Sequence, residues 1–372
     1  MQEIRSYVGL DVHKNSIAVA FVNAGSGEAE SLGSVPNDLT RLLKKLAPLG
    51  APETVRICYE AGPTGYSLYR KLREHHYDCQ VVAPAKTPQL PGDRVKTDRR
   101  DALKLALFLA TGHLTAIRVP TPEEEALRDL IRYREDLKTK ETNSKRQLNS
   151  MMLRHDRIFR DGKSLWTKKH FDWLETQVFE LEASNLALQG YIGEVRRFAN
   201  VIAEVDRHIA EVAETIEQAS LVHALRAFKG IKTLTAATIV AEVGDLKRFP
   251  SADKFASFLG LTPSECSSGD TRSRGRITKA GNGRVRRILV EAAWAYWRSP
   301  HVSRELESRS EGVTSAVRDL SWNTQRRLYK HLRALQARHV SAKKALVAVT
   351  RELACAIWAL GQQEVLVQQH AA

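Results

Sequence analysis

The fold of the first third of the chain follows from residues 4–22, which read IRSYVGLDVHKNSIAVAFV. Residues 7–10 and 17–22 are its apolar runs, and residues 11–16 lie between them as a short polar turn. This pattern predicts two β-strands around a turn. Asp11 then lies at the end of the first strand or in the turn.

Strands and helices alternate beyond this stretch. Residues 54–59 (TVRICY) predict a buried strand that ends at Glu60. The other predicted elements are helices over residues 37–47, 65–75 and 98–111 and a strand over residues 79–83. This alternation is typical of a mixed α/β sheet domain. Pro120 and Pro122 end it, which predicts a first domain over residues 1–122.

The middle of the chain has a helical pattern. Residues 123–152 carry many charges and no Pro or Gly, and residues 171–218 show apolar residues at steps of three, four or seven. A connector around residues 161–170 suggests an antiparallel helical hairpin, and we predict a coiled-coil linker or oligomerisation arm over residues 123–220. A plain helical bundle fits the pattern equally well.

Residues 221–372 predict a mostly helical third domain. Two short helices around Gly230 resemble a helix-hairpin-helix, whose turn amides face phosphate through the second helix's N-terminus. The match is partial, because Ile231 and Lys232 follow where the usual hairpin has an apolar residue and a second glycine. Phosphate binding near Lys232 and simple packing both stay open. The remaining predictions are a polar stretch over residues 264–284 and helices over residues 285–297 and 314–360.

The charge of the chain indicates a polyanionic partner. Its 372 residues include 57 Lys and Arg against 43 Asp and Glu, a net charge of +14. Residues 264–372 hold 19 of the basic and 9 of the acidic residues, so most of the excess lies there. Concentrated charge of this kind favours a phosphate-binding surface over a merely solvated helix face.

Four widely spaced cysteines without a CxxC pair argue against a disulfide scaffold or a structural zinc site. The first residues contain no apolar signal core, and the longest apolar runs are too short to span a bilayer. We therefore expect a cytoplasmic protein, bound to the nucleoid when engaged with DNA, and no membrane partner.

Four carboxylates form a candidate metal site. Asp11 and Glu60 each end a predicted strand, and strands of one sheet can bring them side by side. Asp98 and Asp101 are three residues apart on one helix face. Four converging carboxylates repel each other unless a cation neutralises them, and their oxygens suit Mg²⁺ or Mn²⁺. Ordinary caps and surface ion pairs are the alternative for each residue taken alone.

The histidines and tryptophans show no comparable pattern. The sequence offers no partner for four of the histidines, which we interpret as surface or packing residues; they are His13, His75, His76 and His113. Trp294 and Trp297 are three residues apart, a spacing more typical of a core than of a base-stacking platform.

Several motifs together are similar to those of insertion-sequence transposases of the Piv/MooV DEDD class, which are bridge-RNA-guided recombinases. They follow the family's order and spacing over nearly the whole chain, and they read YVGLDVHK, ICYEAGPTGY, KTDRRDA and GLTPSECSSGDTRSRGRITKAGN. The resemblance implies an RNase H-like, RuvC-type first domain whose metal-binding catalytic tetrad is Asp11, Glu60, Asp98 and Asp101. It also implies a coiled-coil linker and a transposase domain that carries a catalytic serine.

The serine implied by the resemblance is Ser268, which precedes Gly269 shortly after a Gly-Leu-x-Pro turn. The family often has Ser-Lys-x-Gly downstream, and this chain has Thr278-Lys279-Ala280-Gly281, which keeps a hydroxyl and the lysine. The neighbouring Ser267 is the alternative. The resemblance further implies donor and target DNA, a structured guide RNA and a homo-oligomer, a dimer or tetramer, as partners.

The residues of the serine region make chemical sense by themselves. A serine hydroxyl needs activation before it attacks a phosphodiester, and nearby cations stabilise the charge that develops. The candidate phosphate-binding cations are Arg272, Arg274, Arg276, Lys279, Arg284 and Lys232. Without the resemblance, a flexible Ser/Gly loop would be the simpler interpretation.

These observations favour a DNA transposase or recombinase that uses a serine–DNA intermediate. Two other functions stay open. One is a metal-dependent nuclease or junction resolvase that uses the carboxylates alone. The other is a non-catalytic basic nucleic-acid-binding protein.

Overall fold

The protein divides into two compact units, Met1–Val119 and Pro120–Ala372. The structure is a computed structural model that describes residues 3–88, 97–162, 164–268, 271–364 and 366–367. For residues 266–268 and 271–274 it describes the backbone alone. Within these ranges, no helix combines the length and the apolar composition that crossing a bilayer requires.

The first unit is a five-stranded sheet with helices on both faces, as the α/β pattern predicts. Its elements are β1 (Ser6–Val12), β2 (Ser16–Asn23), β3 (Ala29–Pro36), α1 (Leu39–Leu46), β4 (Val55–Glu60), α2 (Ser67–Glu74), β5 (Asp78–Val82) and α3 (Asp98–Ala110). The strand order is β3-β2-β1-β4-β5. Strands β1, β2 and β3 pair antiparallel, whereas β4 runs parallel to both β1 and β5.

Both faces of the central strands are buried, which explains the continuous apolar run in β2. Ile17, Val19 and Phe21 pack in one core with α1 and α2. The alternate residues Ala18 and Ala20 pack against α3 on the opposite face. A strand covered on both sides needs apolar residues at every position instead of at every second one.

Strand β3 is an element that the sequence interpretation missed. Its sequence, AESLGSVP, is polar, and it forms one edge of the sheet with much of its surface exposed. Edge strands bury only part of one face, so their apolar signal is weak.

The second unit is mostly helical. Its elements are α4 (Pro122–Arg154), α5 (Lys168–Glu175), α6 (Glu182–Thr215), α7 (Ala219–Arg226), α8 (Thr233–Val243), α9 (Ala252–Phe258), β6 (Pro263–Ser268), β7 (Thr271–Ile277), α10 (Gly283–Ala293), α11 (Arg304–Arg309), α12 (Ser315–Ala337) and α13 (Ala342–Gly361). The mostly helical character of this part is as predicted. The antiparallel hairpin of β6 and β7 was not predicted.

Helices α4 and α6 form the predicted antiparallel hairpin. Arg134 bonds Asp206 at 2.8 Å, and ten residues further along α4, Ser144 bonds Glu194 at 3.1 Å. The partner numbers fall as the α4 numbers rise, so the helices run in opposite directions. A capping box between Thr121 and Glu124 starts α4.

The helix predicted over residues 171–218 is interrupted. Helix α5 ends at Glu175, and α6 begins at Glu182. Phe179 lies between them, and its backbone amide and carbonyl bond the side-chain oxygen and nitrogen of Asn185, near the start of α6. These bonds replace helical ones, which is why the connection turns here.

The root of the hairpin shares one core with the later helices. Leu127 and Ile131 of α4 and Val205 and Ile209 of α6 belong to the same buried cluster as most of α8 and α13. The three-domain division of the chain, with boundaries near residues 122 and 220, stays a prediction.

The long C-terminal helix predicted over residues 314–360 is wrong in one respect, because it is two helices. Helix α12 ends at Ala337, and α13 begins at Ala342. His339 between them has a positive φ of 56°, which reverses the chain and lets α13 pack back against α12. Burial of the facing apolar residues outweighs the continuation of a single helix.

Candidate functional site

Asp11 and Glu60 lie at the carboxyl ends of neighbouring parallel strands. The last paired residues of β1 and β4 are Leu10 and Tyr59, so Asp11 and Glu60 are the next residues on each strand. Both side chains are partly exposed. The sheet therefore places these two carboxylates at one edge, as their positions in the sequence predict.

Helix α3 adds Asp98 to this edge. Thr97 caps the helix by accepting a hydrogen bond from the Arg100 amide, so Asp98 is its first residue. The helix packs directly on β1, because a Cβ placed on Gly9 would lie only 2.3 Å from the Ala102 carbonyl oxygen. The glycine in YVGLDVHK thus allows the approach that brings Asp98 to the end of β1.

Asp11, His13 and Asp98 form a group that we call the strand-end cluster. The Nε2 atom of His13 lies 3.1 Å from Oδ2 of Asp11 and 3.5 Å from Oδ1 of Asp98. One nitrogen or oxygen from each residue lies within 4.8 Å of the others. The sequence offers no partner for His13 and favours its interpretation as a surface or packing residue. Its side chain is indeed 52% exposed, but it has Asp11 and Asp98 as neighbours. The spacing of Asp11 and His13 could have indicated the first contact, because residues i and i+2 of an extended segment face the same side.

Glu60 and Asp101 have other contacts in the described structure. Oε1 of Glu60 accepts a hydrogen bond of 2.7 Å from the Thr87 hydroxyl. Oδ1 of Asp101 lies 4.0 Å from the Lys104 ammonium. Of the four carboxylates, the structure brings Asp11 and Asp98 into the cluster of ligand atoms, and Glu60 lies on the strand beside it.

The donor set fits a divalent cation. Carboxylate oxygens are the ligands that Mg²⁺ and Mn²⁺ take, and exposure of the strand-end cluster leaves room for water ligands. Cys58 on β4 does not supply a thiolate, which would be a soft metal ligand. Burial raises the pKa of the Cys58 thiol well above its usual range, with further contributions from Cys79 and Glu60. That thiol stays protonated and donates to the Leu105 carbonyl, so it is no thiolate ligand.

The predicted serine lies in the hairpin of β6 and β7. Ser268 is the last residue of β6 and pairs with Thr271 of β7. Gly269, which follows it, lies outside the described residues, as do the side chains of Ser268, Arg272 and Arg274. The polar stretch forms a β-hairpin around this position, where the simpler interpretation was a flexible loop.

Two sequence motifs meet at the base of this hairpin. A Cβ on Gly260 would lie 2.3 Å from the Ala280 carbonyl oxygen, and one on Gly281 would lie 2.0 Å from that of Phe258. Both glycines also have positive φ angles, of 65° and 98°. The Gly-Leu-x-Pro turn and the Thr-Lys-Ala-Gly segment therefore lock together and hold the two ends of the hairpin.

The other predicted phosphate-binding residues divide into two groups. Arg276 and Lys279 are exposed near the base of the hairpin. Lys232 and Arg284 lie in ion pairs, with Glu305 at 2.7 Å and with Glu135 at 2.9 Å. A nucleic acid that bound the second group would have to compete with these acidic partners.

The turn at Gly230 has a packing role. Its φ is 85°, and a Cβ there would lie 2.4 Å from the Ala292 carbonyl oxygen. Ile231 is buried, and its carbonyl accepts a hydrogen bond of 2.6 Å from Arg309. Helices α7 and α8 flank the turn as predicted, while phosphate binding by it stays a prediction.

Comparisons with known proteins cover both units. A family model described as "Transposase IS116/IS110/IS902 family" matches residues 222–307, and a DEDD model of IS110 type, described as "Transposase", matches residues 8–155. A Sinorhizobium fredii protein named as the transposase y4qE is 41% identical over 360 residues, which cover 96% of this chain and 89% of that protein.

Two further relatives are more distant. The transposase for insertion sequence element IS1533 of Leptospira borgpetersenii is 32% identical over 89% of this chain and 96% of its own length. A pilin gene-inverting protein of Moraxella bovis is 24% identical over 71% of this chain and 74% of its own length.

Proposed function

The chain belongs to the IS116/IS110/IS902 family of insertion-sequence transposases, and on that premise we propose how it cuts and rejoins DNA. The observation that carries the proposal is the meeting of Asp11 and Asp98 at the carboxyl edge of the sheet, beside Glu60. Three antiparallel strands followed by two parallel ones, with helices on both faces, support an RNase H-like, RuvC-type interpretation of this unit.

The carboxylates Asp11, Glu60, Asp98 and Asp101 hold Mg²⁺ or Mn²⁺ in this proposal. A divalent ion supplies positive charge that polarises phosphodiester oxygens and stabilises the departing one. The protein's own contribution would be position, since β1, β4 and α3 carry these carboxylates, and the meeting of Asp11 and Asp98 beside Glu60 supports a preorganised site for a DNA phosphate.

Ser268 is the proposed nucleophile. Its Oγ attacks a DNA phosphorus, so that an Oγ–P bond forms while the bond from phosphorus to one deoxyribose oxygen breaks. The hydroxyl proton passes to a base, and the departing oxygen takes up a proton. Attack by another DNA hydroxyl reverses these steps and frees the serine. The energy of the phosphodiester is conserved in the serine ester, so rejoining needs no ATP.

Cations of the hairpin and its surroundings bind the phosphates in this proposal. Arg272, Arg274 and Arg276 lie along β7, directly across the hairpin from β6. Lys279 follows at its base, and Arg284 and Lys232 extend the basic surface. Guanidinium and ammonium groups near the attacked phosphate stabilise the charge of a pentavalent transition state.

Assembly and RNA guidance complete the proposal. The far end of the helical hairpin exposes apolar side chains, including Val178 at 72% and Leu181 at 71%. Such a patch supports a homo-oligomer, a dimer or tetramer, formed through the arm. Light scattering of the RNA-bound protein tests this, since a monomer alone would contradict it. Sequencing of co-purified nucleic acid tests whether a structured, element-encoded RNA is the guide.

Covalent trapping tests the serine. The full-length protein is incubated with a nicked suicide substrate that carries an element end, and the linked residue is mapped by mass spectrometry. We expect an adduct on Ser268 that Ser268→Ala abolishes and the matched control Ser267→Ala retains. An adduct lost only in Ser267→Ala would move the nucleophile by one residue.

The same experiment separates the two other functions. Cleavage without any adduct, retained in Ser268→Ala, would indicate a nuclease or resolvase that uses the carboxylates alone. Nucleic-acid binding that survives chelation, without any strand cleavage when Mg²⁺ or Mn²⁺ is restored, would indicate a non-catalytic binding protein.

A further inference from the structure

We propose that His13 is a direct ligand of the divalent ion that Asp11 and Asp98 hold, and that its nitrogen makes the site favour Mn²⁺ over Mg²⁺. This rests on the proposed function, because it adds a residue to the proposed metal site. His13 stands in the motif YVGLDVHK, but the metal-binding tetrad that the resemblance implies consists of carboxylates alone.

The distances in the strand-end cluster suit ligands that share one ion. Two ligand atoms at about 2.1 Å from an octahedral ion are about 3.0 Å apart when adjacent and about 4.2 Å apart when opposite. The Nε2 atom of His13 lies 3.1 Å and 3.5 Å from its two carboxylate neighbours. All three ligand atoms lie within 4.8 Å of one another, so rotation of the side chains would bring them to a common centre.

A simple ion pair would stabilise this arrangement only weakly. The side chains of His13 and Asp98 are 52% and 61% exposed, and exposed pairs contribute little to stability. Moreover, only the Asp11 contact has the geometry of a hydrogen bond. The Asp98 contact, at 3.5 Å, adds no second bond to the imidazole. A shared cation gives both carboxylates and the imidazole a favourable partner at once.

The backbone holds His13 in position. Its amide donates to the Ser16 carbonyl at 2.9 Å, and its carbonyl accepts a hydrogen bond of 2.8 Å from the Asn37 side chain. Asn37 follows β3, so the edge strand that the sequence interpretation missed secures the turn after β1. A metal-binding side chain on a fixed backbone loses less conformational entropy when the ion binds. Such fixed positions are what a preorganised site requires.

The chemistry of the imidazole predicts the preference among ions. Mg²⁺ takes oxygen ligands and gives up its water reluctantly, whereas first-row transition ions accept nitrogen more readily. A site of two carboxylates and one imidazole therefore favours Mn²⁺ over Mg²⁺ more than the four carboxylates alone would.

Pulsed electron paramagnetic resonance of the Mn²⁺-loaded, full-length protein tests the proposal, together with Mn²⁺ and Mg²⁺ titrations. We expect a nitrogen coupling to Mn²⁺ in the wild type that disappears in His13→Gln. The Mn²⁺ dissociation constant of that variant should rise about tenfold, a typical cost of perturbing a metal site, and the Mg²⁺ constant should rise less. The matched control is His113→Gln, which replaces an exposed histidine of the same unit.

The other outcomes distinguish this proposal from the proposed function. Mn²⁺ binding that Asp11→Asn weakens, without nitrogen coupling and without any effect of His13→Gln, would overturn the role of His13 and leave the carboxylate site intact. Absence of Mn²⁺ binding in the wild type would overturn both. Coupling that persists in His13→Gln would assign the nitrogen to another residue and would also overturn the proposal.

Discussion

Gly9 determines how closely α3 approaches β1 at the candidate site. It packs against the backbone of α3, and a Cβ added at this position would lie 2.4 Å from the Ala106 nitrogen. A backbone atom is not able to move aside as a flexible side chain does. The smallest possible side chain would therefore push α3, and Asp98 with it, away from β1.

Replacing this glycine should destabilise the fold and displace Asp98 from the candidate metal site. We expect Gly9→Ala to lower the free energy of unfolding by about 1–3 kcal/mol, the usual cost of overpacking a core, and to weaken Mn²⁺ binding. Urea unfolding and metal titration measure the two effects. Gly190→Ala is the control: this exposed glycine in α6 has nothing within 4 Å, so alanine should stabilise by about 0.5–1 kcal/mol. Unchanged stability and metal binding in Gly9→Ala would refute the close packing.

At the scale of elements, the far end of the helical hairpin has its own small core. His170 on α5 is buried, stacks on Trp173 at 5.7 Å, and its Nδ1 accepts a hydrogen bond from the Trp166 amide. Burial lowers the pKa of the His170 imidazole below its usual range, so the folded state keeps this ring neutral. The unfolded state takes up a proton at higher pH than the folded one.

Lowering the pH should therefore destabilise this end of the hairpin. The stabilisation is present above the ordinary histidine pKa of about 6.5 and is lost as the pH falls towards the lowered value, by at most about 1.4 kcal/mol per pH unit. Hydrogen exchange followed by mass spectrometry on residues 164–175, from pH 7.5 to 5.5, measures it after correction for intrinsic rates.

Two variants check the assignment to His170. His170→Phe should remove the pH dependence of exchange in residues 164–175, since no proton can bind there. His208→Phe, which changes an exposed histidine on α6, should leave it intact. A pH dependence that survives in His170→Phe would show that another group controls this end.

At the scale of the whole molecule, charge is distributed unequally along the chain. The net charge is +14, and the excess concentrates after residue 263. Several cations elsewhere are held in ion pairs within the fold, such as Arg134 with Asp206 and Lys145 with the buried Glu141. Paired cations of this kind contribute less to a phosphate-binding surface than exposed cations such as Arg276 and Lys279.

Nucleic-acid binding by the full-length protein should therefore weaken steeply with salt. We expect the triple change Arg272→Gln, Arg274→Gln and Arg276→Gln to reduce the slope of log K against log salt by up to about 3, one for each phosphate that is no longer neutralised. Fluorescence anisotropy with labelled DNA and RNA at several salt concentrations measures it. The control removes three exposed cations from residues 123–263, which hold 22 basic and 22 acidic residues: Lys140, Lys168 and Arg207. An equal decrease of the slope in the control would contradict the charge argument.

Most of the features that the sequence predicted correctly are encoded by short patterns of neighbouring residues. Apolar runs in residues 4–22 predicted β1 and β2, helical periodicity predicted α4 and α6, and strand ends located Asp11 and Glu60. Each of these signals arises among residues a few positions apart, where period and steric preference act directly. The same holds for the motifs that indicated the transposase family.

Only the tertiary structure decided which distant residues meet. Nothing near His13 in the sequence indicates Asp98, which reaches it because α3 crosses β1 over Gly9. Likewise, Arg284 lies beside Glu135 because α4 and α10 both pack against α8. Strand β3 and the β6–β7 hairpin depend on hydrogen bonds to partner strands more than on their own apolar residues. The contacts of His13 and Arg284 depend on packing between segments far apart in the chain, about which a local pattern carries no information. The two polar strand pairs join neighbouring segments, but their residues lack the apolar alternation by which a strand is recognised.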